Sequence, residues 1–179
     1  MRRRTTAHGG TGGPGGPPFL RALRAPPCYI LAMLVKDVPH PGYPAVCRAM
    51  RECVEEFFDD ARPLSRFSLD QIFDYVAALP YVMDSEIWGE GMEHVARPAR
   101  FREFPGIDCK KKAILVGCWA RCRGIGYRFV AVDDTGGGVS HVFAEVEESP
   151  GVWVSMDCTL PGLFRPGSPM PNVRFAEVF

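Results

Sequence analysis

Asp108-Cys109-Lys110-Lys111-Lys112-Ala113-Ile114-Leu115-Val116-Gly117-Cys118-Trp119-Ala120-Arg121-Cys122-Arg123-Gly124 decides the fold class. Asp108 is a good N-cap, because its carboxylate can take an amide that the first helical turn leaves without a partner. Strong helix formers follow, and Gly124 suits the left-handed residue that closes a helix. Beyond its first turn the segment is apolar on nearly every side, so a helix over 109–123 should be largely buried. Three strand-like runs come next, Tyr127–Val132, Val139–Glu147 and Val152–Asp157. Residues 133–138 join the first two, and the turn Glu148-Ser149-Pro150-Gly151 joins the last two. One central helix followed by an antiparallel meander predicts an α+β domain.

Working outward, the 179 residues are 46% hydrophobic, enough for one domain with a real core. Lys+Arg and Asp+Glu each number 21, so the chain lacks the basic excess that phosphate contacts need, and no nucleic-acid partner is expected. The longest apolar run, Cys28–Val35, falls far short of the ~20 residues that span a bilayer. It also makes a poor export signal with Arg2-Arg3-Arg4, from which a Gly/Pro tract separates it. No membrane association is expected. Seven cysteines without a disulfide-framework spacing suit a reduced, cytoplasmic setting.

Residues 1–18 are Arg-rich and then Gly/Pro-rich, and read as a disordered tail before a single domain over 19–179. The glycines make no phosphate loop, because no Gly-Lys-Ser/Thr follows them. Cys28–Val35 reads as a short strand or buried segment. The helical part spans 44–80. Pro44 suits the first position of a helix to about residue 60, with Val46, Met50, Cys53, Val54, Phe57 and Phe58 on its apolar face and a stop before Pro63. Ser68 and Gln71 have capping-box spacing for a second helix that Pro80 ends. Residues 81–107 show no sustained period and read as a long, mostly irregular connection, of the kind that often carries function.

Cys109 in the first helical turn sits where unpaired amides and the helix dipole stabilise a thiolate. Lys110 and Lys112 add positive charge. The same amides can hold an oxyanion. A hairpin turn centred near Ser149 pairs His141 with Asp157, Phe143 with Ser155 and Glu145 with Trp153, all on one face. A slip of one residue would instead bring Cys158 opposite His141. The expected site is therefore Cys109 as nucleophile, His141 as proton shuttle and Asp157 as its orienting acid. Each residue alone has a plainer reading: a buried small thiol, a strand histidine, a turn carboxylate. Their order on suitable elements favours the catalytic one.

These residues resemble the transglutaminase-like superfamily, which shares the papain-type fold. The resemblance covers residues 80–160, about half the chain. It is carried by Asp108-Cys109 with the apolar run to Gly124-Ile125, by Tyr127–Val132, by His141-Val142-Phe143-Ala144-Glu145-Val146, and by Trp153-Val154-Ser155-Met156-Asp157-Cys158-Thr159. Tyr81-Val82-Met83-Asp84 is similar to members from bacteriophages and prophages. The resemblance implies a Cys-His-Asp enzyme with a catalytic core over about 81–160, acting on carboxamide or peptide bonds of a protein or peptide substrate through a thioester. Water resolving that thioester makes a protease or amidase, and an amine makes a transglutaminase. The rival class is a catalytically silent binding module, or a phage structural or assembly protein with a partner of that kind. The pattern departs from the family at Gly106, which stands one place further from Asp-Cys, at the three lysines, and at Asp-Cys-Thr in the third element. The family's side-chain oxyanion donor lies upstream of the cysteine, and Trp88 is the residue named for it.

No cofactor is called for. Cys118 and Cys122, four apart on one helix, with Cys158 nearby, lack the usual zinc-ligand spacing and read as core thiols, so no metal site is assigned. Gly124-Ile125-Gly126 is a helix stop, not a nucleotide loop.

Overall fold

The computed structural model describes residues 36–39, 42–89, 92–133, 139–159, 164–169 and 175–179. The expectations for the N-terminal tail and for Cys28–Val35 lie outside them, as does most of the 133–138 connection.

Two helices pack first. Helix α1 (Tyr43–Phe57) begins with Pro44 in its first turn and buries Val46, Met50, Cys53, Val54 and Phe57. The chain does not stop before Pro63 but continues as a 3-10 helix over Phe58–Leu64. Pro63 lies near the end of that short helix, where losing one donor costs little. Helix α2 (Leu69–Ala77) has the expected capping box: Ser68 accepts from the Gln71 amide, and Gln71 accepts from the Ser68 amide at 2.9 Å.

The connection over 81–107 is more ordered than its composition suggests. It holds helix α3 (Asp84–Trp88), strand β2 (Met92–Val95) and a 3-10 helix (Pro98–Glu103). Strand β2 pairs antiparallel with β1 (Lys36–Pro39). Elements of four to six residues are too short to display a period, which is why they read as loop.

Helix α4 (Cys109–Cys122) runs through the centre, packed against α1, α2, the first 3-10 helix and the main sheet. Asp108 caps it by accepting from the Lys111 amide at 3.1 Å, and Gly124 turns the chain away at φ +68°. The main sheet has the order β5-β4-β3-β6, all antiparallel, with β3 at Tyr127–Asp133, β4 at His141–Ser149, β5 at Val152–Met156 and β6 at Phe175–Val178. Strand β6 pairs with β3 and was not foreseen; it too is only four residues long. The α+β class holds.

Gly117 lets α4 approach its neighbours closely. A Cβ there would lie 3.1 Å from Val54 Cγ2 and 3.3 Å from Tyr127 Cδ2, two buried side chains on separate elements. Overpacking costs about 1–3 kcal/mol and a helical Gly-to-Ala change returns about 1 kcal/mol, so Gly117→Ala should lose about 1 kcal/mol in urea unfolding. An unchanged or raised stability would show that this contact has slack.

Candidate functional site

Cys109 is the first residue of α4, His141 the first of β4, and Asp157 follows the last residue of β5. The three side chains meet. His141 Nε2 lies 2.8 Å from Asp157 Oδ2, and Cys109 is near enough for its hydrogen bonding and negative charge to raise the pKa of the same ring. Asp157 is held in turn by Thr159, whose amide and hydroxyl donate to Oδ1 at 3.1 and 2.6 Å.

The expected hairpin register is corrected. Strand β4 pairs with β5 as Ala144↔Met156, Glu145↔Ser155, Val146↔Val154 and Glu147↔Trp153, with an irregularity between Glu147 and Ser149. The turn falls at residues 150–151, beyond Ser149, and past the one-residue irregularity the pairing lies two residues from the expected one, so His141 and Asp157 are not directly opposite. A two-residue shift keeps every side chain on its face, and the imidazole reaches Asp157 along the diagonal. The His141 ring stacks over Phe143, at a centroid distance of 6.1 Å, on the same side of the strand.

Burial alone would lower the pKa of His141. The hydrogen bonds to Asp157 and Cys109, with the negative charge of those groups, outweigh it and push the pKa up to about 10. Burial would raise Asp157, yet His141 and Thr159 hold its carboxyl below the ordinary value. This carboxylate beside an imidazolium fixes both ring nitrogens as donors.

The three lysines are a surprise. They are buried, which their sequence positions do not announce, and Lys110 lies close enough to Cys109 to interact with its charge. Lys110 pairs with Asp108, Glu93 and, at 3.3 Å, Asp84; Lys111 pairs with Asp84 and, at 3.4 Å, Asp108. Asp84 Oδ2 also accepts from the His94 amide at 2.9 Å. Three carboxylates thus share two ammonium groups. Burial opposes ionisation of Asp84, but Lys110 and Lys111 hold its pKa down at about 2. Burial pushes Asp108 up. Asp84, Glu93 and Asp108 are spaced closely enough to hold a cation, but their oxygens already serve the lysines. Lys112 has a different environment: its ammonium donates to the carbonyls of Cys158 at 3.0 Å and Ala77 at 3.2 Å, and burial lowers its pKa.

A scan of protein-family models, a search of curated proteins and a search of solved structures found no match to this chain. What the site can do therefore rests on its geometry.

Trp88 is half exposed and stacks on His94 at 4.6 Å and Phe104 at 6.3 Å between centroids. Burial raises the pKa of Tyr81, and the negative charge of Cys109 adds to it. Sequence reading passed over this tyrosine, because its position depends on a backbone contact between distant segments: the Ile107 amide donates to the Pro80 carbonyl at 2.9 Å. The remaining described cysteines are free. Cys118 is fully buried, and the Cys122 thiol donates to the Phe58 carbonyl at 3.0 Å. Burial raises the pKa of both. Cys158, also buried, donates to the Met156 carbonyl at 3.5 Å. Among the described residues no helix is long and apolar enough to cross a membrane.

Proposed function

We propose that this chain is a cysteine-nucleophile acyl-transfer enzyme of the transglutaminase-like, papain-related kind, acting on carboxamide or peptide bonds of a protein or peptide. The observation that carries the reading is the His141 ring, bonded to Asp157 and close enough to Cys109, at the start of a capped helix, for the sulfur's charge to raise its pKa. Cys109 sulfur attacks the carbonyl carbon, and the carbonyl π pair moves onto oxygen. The tetrahedral adduct collapses as the C–N bond breaks, and the leaving amine takes its proton from His141. A thioester remains. Water or an amine then attacks it, giving its proton to His141, and the thiolate leaves. The Asp108 carboxylate takes the Lys111 amide and the Asp108 carbonyl the Lys112 amide, so the Cys109 and Lys110 amides are the ones that can supply part of the oxyanion site. Asp157 keeps the imidazole oriented throughout.

Reactivity toward iodoacetamide tests the nucleophile. At neutral pH the order expected is Cys109 well ahead of Cys122 and Cys118, whose burial holds them as thiols. Peptide mass spectrometry of the time course reads all three. Alkylation of Cys109 no faster than the other two would sink the activated-thiolate reading. With p-nitrophenyl acetate, an acetyl group should appear on Cys109, and Cys109→Ala should abolish it.

A further inference from the structure

Against the middle of α4 the structure keeps open a cavity of about 220 Å³. Among the described residues, none of the triad and none of the main sheet lines it. Its depth is apolar, where Leu64, Ile107 and Leu115 are buried. The rings of Tyr75, Phe101 and Phe104 stand along its walls. Pro80, Arg102 and Pro105 also line it and are exposed, so the cavity reaches solvent there.

Apolar space of this size forfeits contacts in a close-packed interior, and side chains close it unless the walls are held apart. Here they are propped at two places. Asp60 accepts from Arg97 Nε at 2.8 Å, from Arg97 Nη2 at 2.6 Å and from the Ala99 amide at 3.1 Å. That fork fixes the 3-10 helix that carries Phe101 to the one that carries Leu64. At the second place the Ile107 amide donates to the Pro80 carbonyl at 2.9 Å. A Cβ on Gly106 would lie 2.8 Å from that oxygen, closer than real Cβ atoms come, so this prop needs the glycine. The Asp60 carboxylate is matched by Arg97, and Arg102 is exposed at the mouth. The interior therefore presents rings and aliphatic groups to an occupant rather than an unmatched charge.

We propose that this cavity is a preformed binding site for an uncharged aromatic group of one or two fused rings. The proposal goes beyond the cysteine-nucleophile reading and does not depend on it. A dry cavity of about 150 Å³ already takes benzene, so the space here suits a larger flat ring. Aromatic walls meet such a ring by edge and offset contacts, and the aliphatic depth contributes burial. The ring belongs either to a free small molecule or to an aromatic side chain of a peptide entering at the mouth.

Titration of the full chain with indole and with N-acetyltryptophanamide tests this. Calorimetry reads the affinity, and nuclear Overhauser contacts read the place. Indole should bind with a dissociation constant of about 1 mM or tighter, within reach of a ligand of about nine heavy atoms. Its protons should touch the methyl groups of Leu64, Leu79, Ile107 and Leu115. Leu79 lines the cavity and is half-buried, so Leu79→Trp can fill the space from its edge. That variant should weaken indole binding about 10-fold or more, since its own ring takes the contacts. Binding of both ligands marks a side-chain site, and binding of indole alone marks a site for free small molecules. Absence of binding by either at a few millimolar overturns the proposal. So do Overhauser contacts to another part of the chain, or a folded Leu79→Trp that binds indole as tightly as wild type. If Leu79→Trp does not fold, the Overhauser contacts of the wild-type protein decide.

Discussion

Asp84→Ala is expected to destabilise the domain by about 3–5 kcal/mol, the usual cost of stripping the partner from a buried charge. Asp84 is paired with both Lys110 and Lys111, as Asp108 is, but it is the nearer partner of Lys111, and all three side chains are almost wholly out of water. Water cannot replace the lost carboxylate without opening the start of α4. Domains of this kind hold about 5–15 kcal/mol in total, so the loss should be plain as a fall in urea midpoint, with a failure to fold at the extreme. Replacing the charge on both sides, as Asp84→Leu with Lys111→Met, should recover most of the stability, since a buried pair is worth little against apolar residues of similar size. Lys110 keeps Asp108 and Glu93 in that double variant. A single-variant loss below about 1 kcal/mol would mean that the cluster behaves as a hydrated surface network.

Asp157→Ala is expected to slow Cys109 acylation by p-nitrophenyl acetate on the order of 1000-fold, because the imidazole loses the carboxylate that orients it. The same substitution should be visible without any turnover. In the wild-type protein the His141 ring should titrate at about pH 10, followed by the NMR shifts of its ring signals, and without Asp157 the midpoint should fall toward the ordinary 6.5. The pair also sets a direction for stability. Below about pH 6.5 the ring is protonated in the folded and unfolded chains alike, and its contribution is full. Raising the pH costs the unfolded chain nothing further, while the folded one must still give up its proton, so the contribution fades and is gone above about pH 10. A wild-type midpoint near 6.5, unmoved by Asp157→Ala, would break the triad assignment.

What could be read in advance, and what could not, follows from the length of each signal. Asp108, the apolar run after it and Gly124 mark one helix by capping chemistry, and the structure has that helix to within a residue at its end. The face shared by His141 and Asp157 depends only on the alternation of a strand, which survived a two-residue error in register. The error itself came from the place of the turn, which lies at 150–151 rather than around Ser149, with a one-residue irregularity between Glu147 and Ser149 that a hydrophobic pattern does not mark. Residues 81–107 hid more. Asp84 and Glu93 are ordinary surface residue types, and nothing local announces that they neutralise lysines 17 to 27 positions later. Lys110 and Lys112 accordingly read in the sequence only as positive charge near Cys109, and nothing there foretells the burial of all three lysines.

Lys112 gives the helical half and the sheet a common fate. Its ammonium holds the Ala77 carbonyl at the last turn of α2 and the Cys158 carbonyl just past Asp157. Neither partner is a side chain, so no substitution at 77 or 158 that leaves the backbone in place removes the bond. Opening either end strands a charged group in the interior, which is costly enough to forbid the two ends from fraying separately. Asp157, next to Cys158, is thereby tied through Lys112 to the end of α2. Local unfolding of α2 would carry Asp157 away from His141, and the site can be lost from a distance.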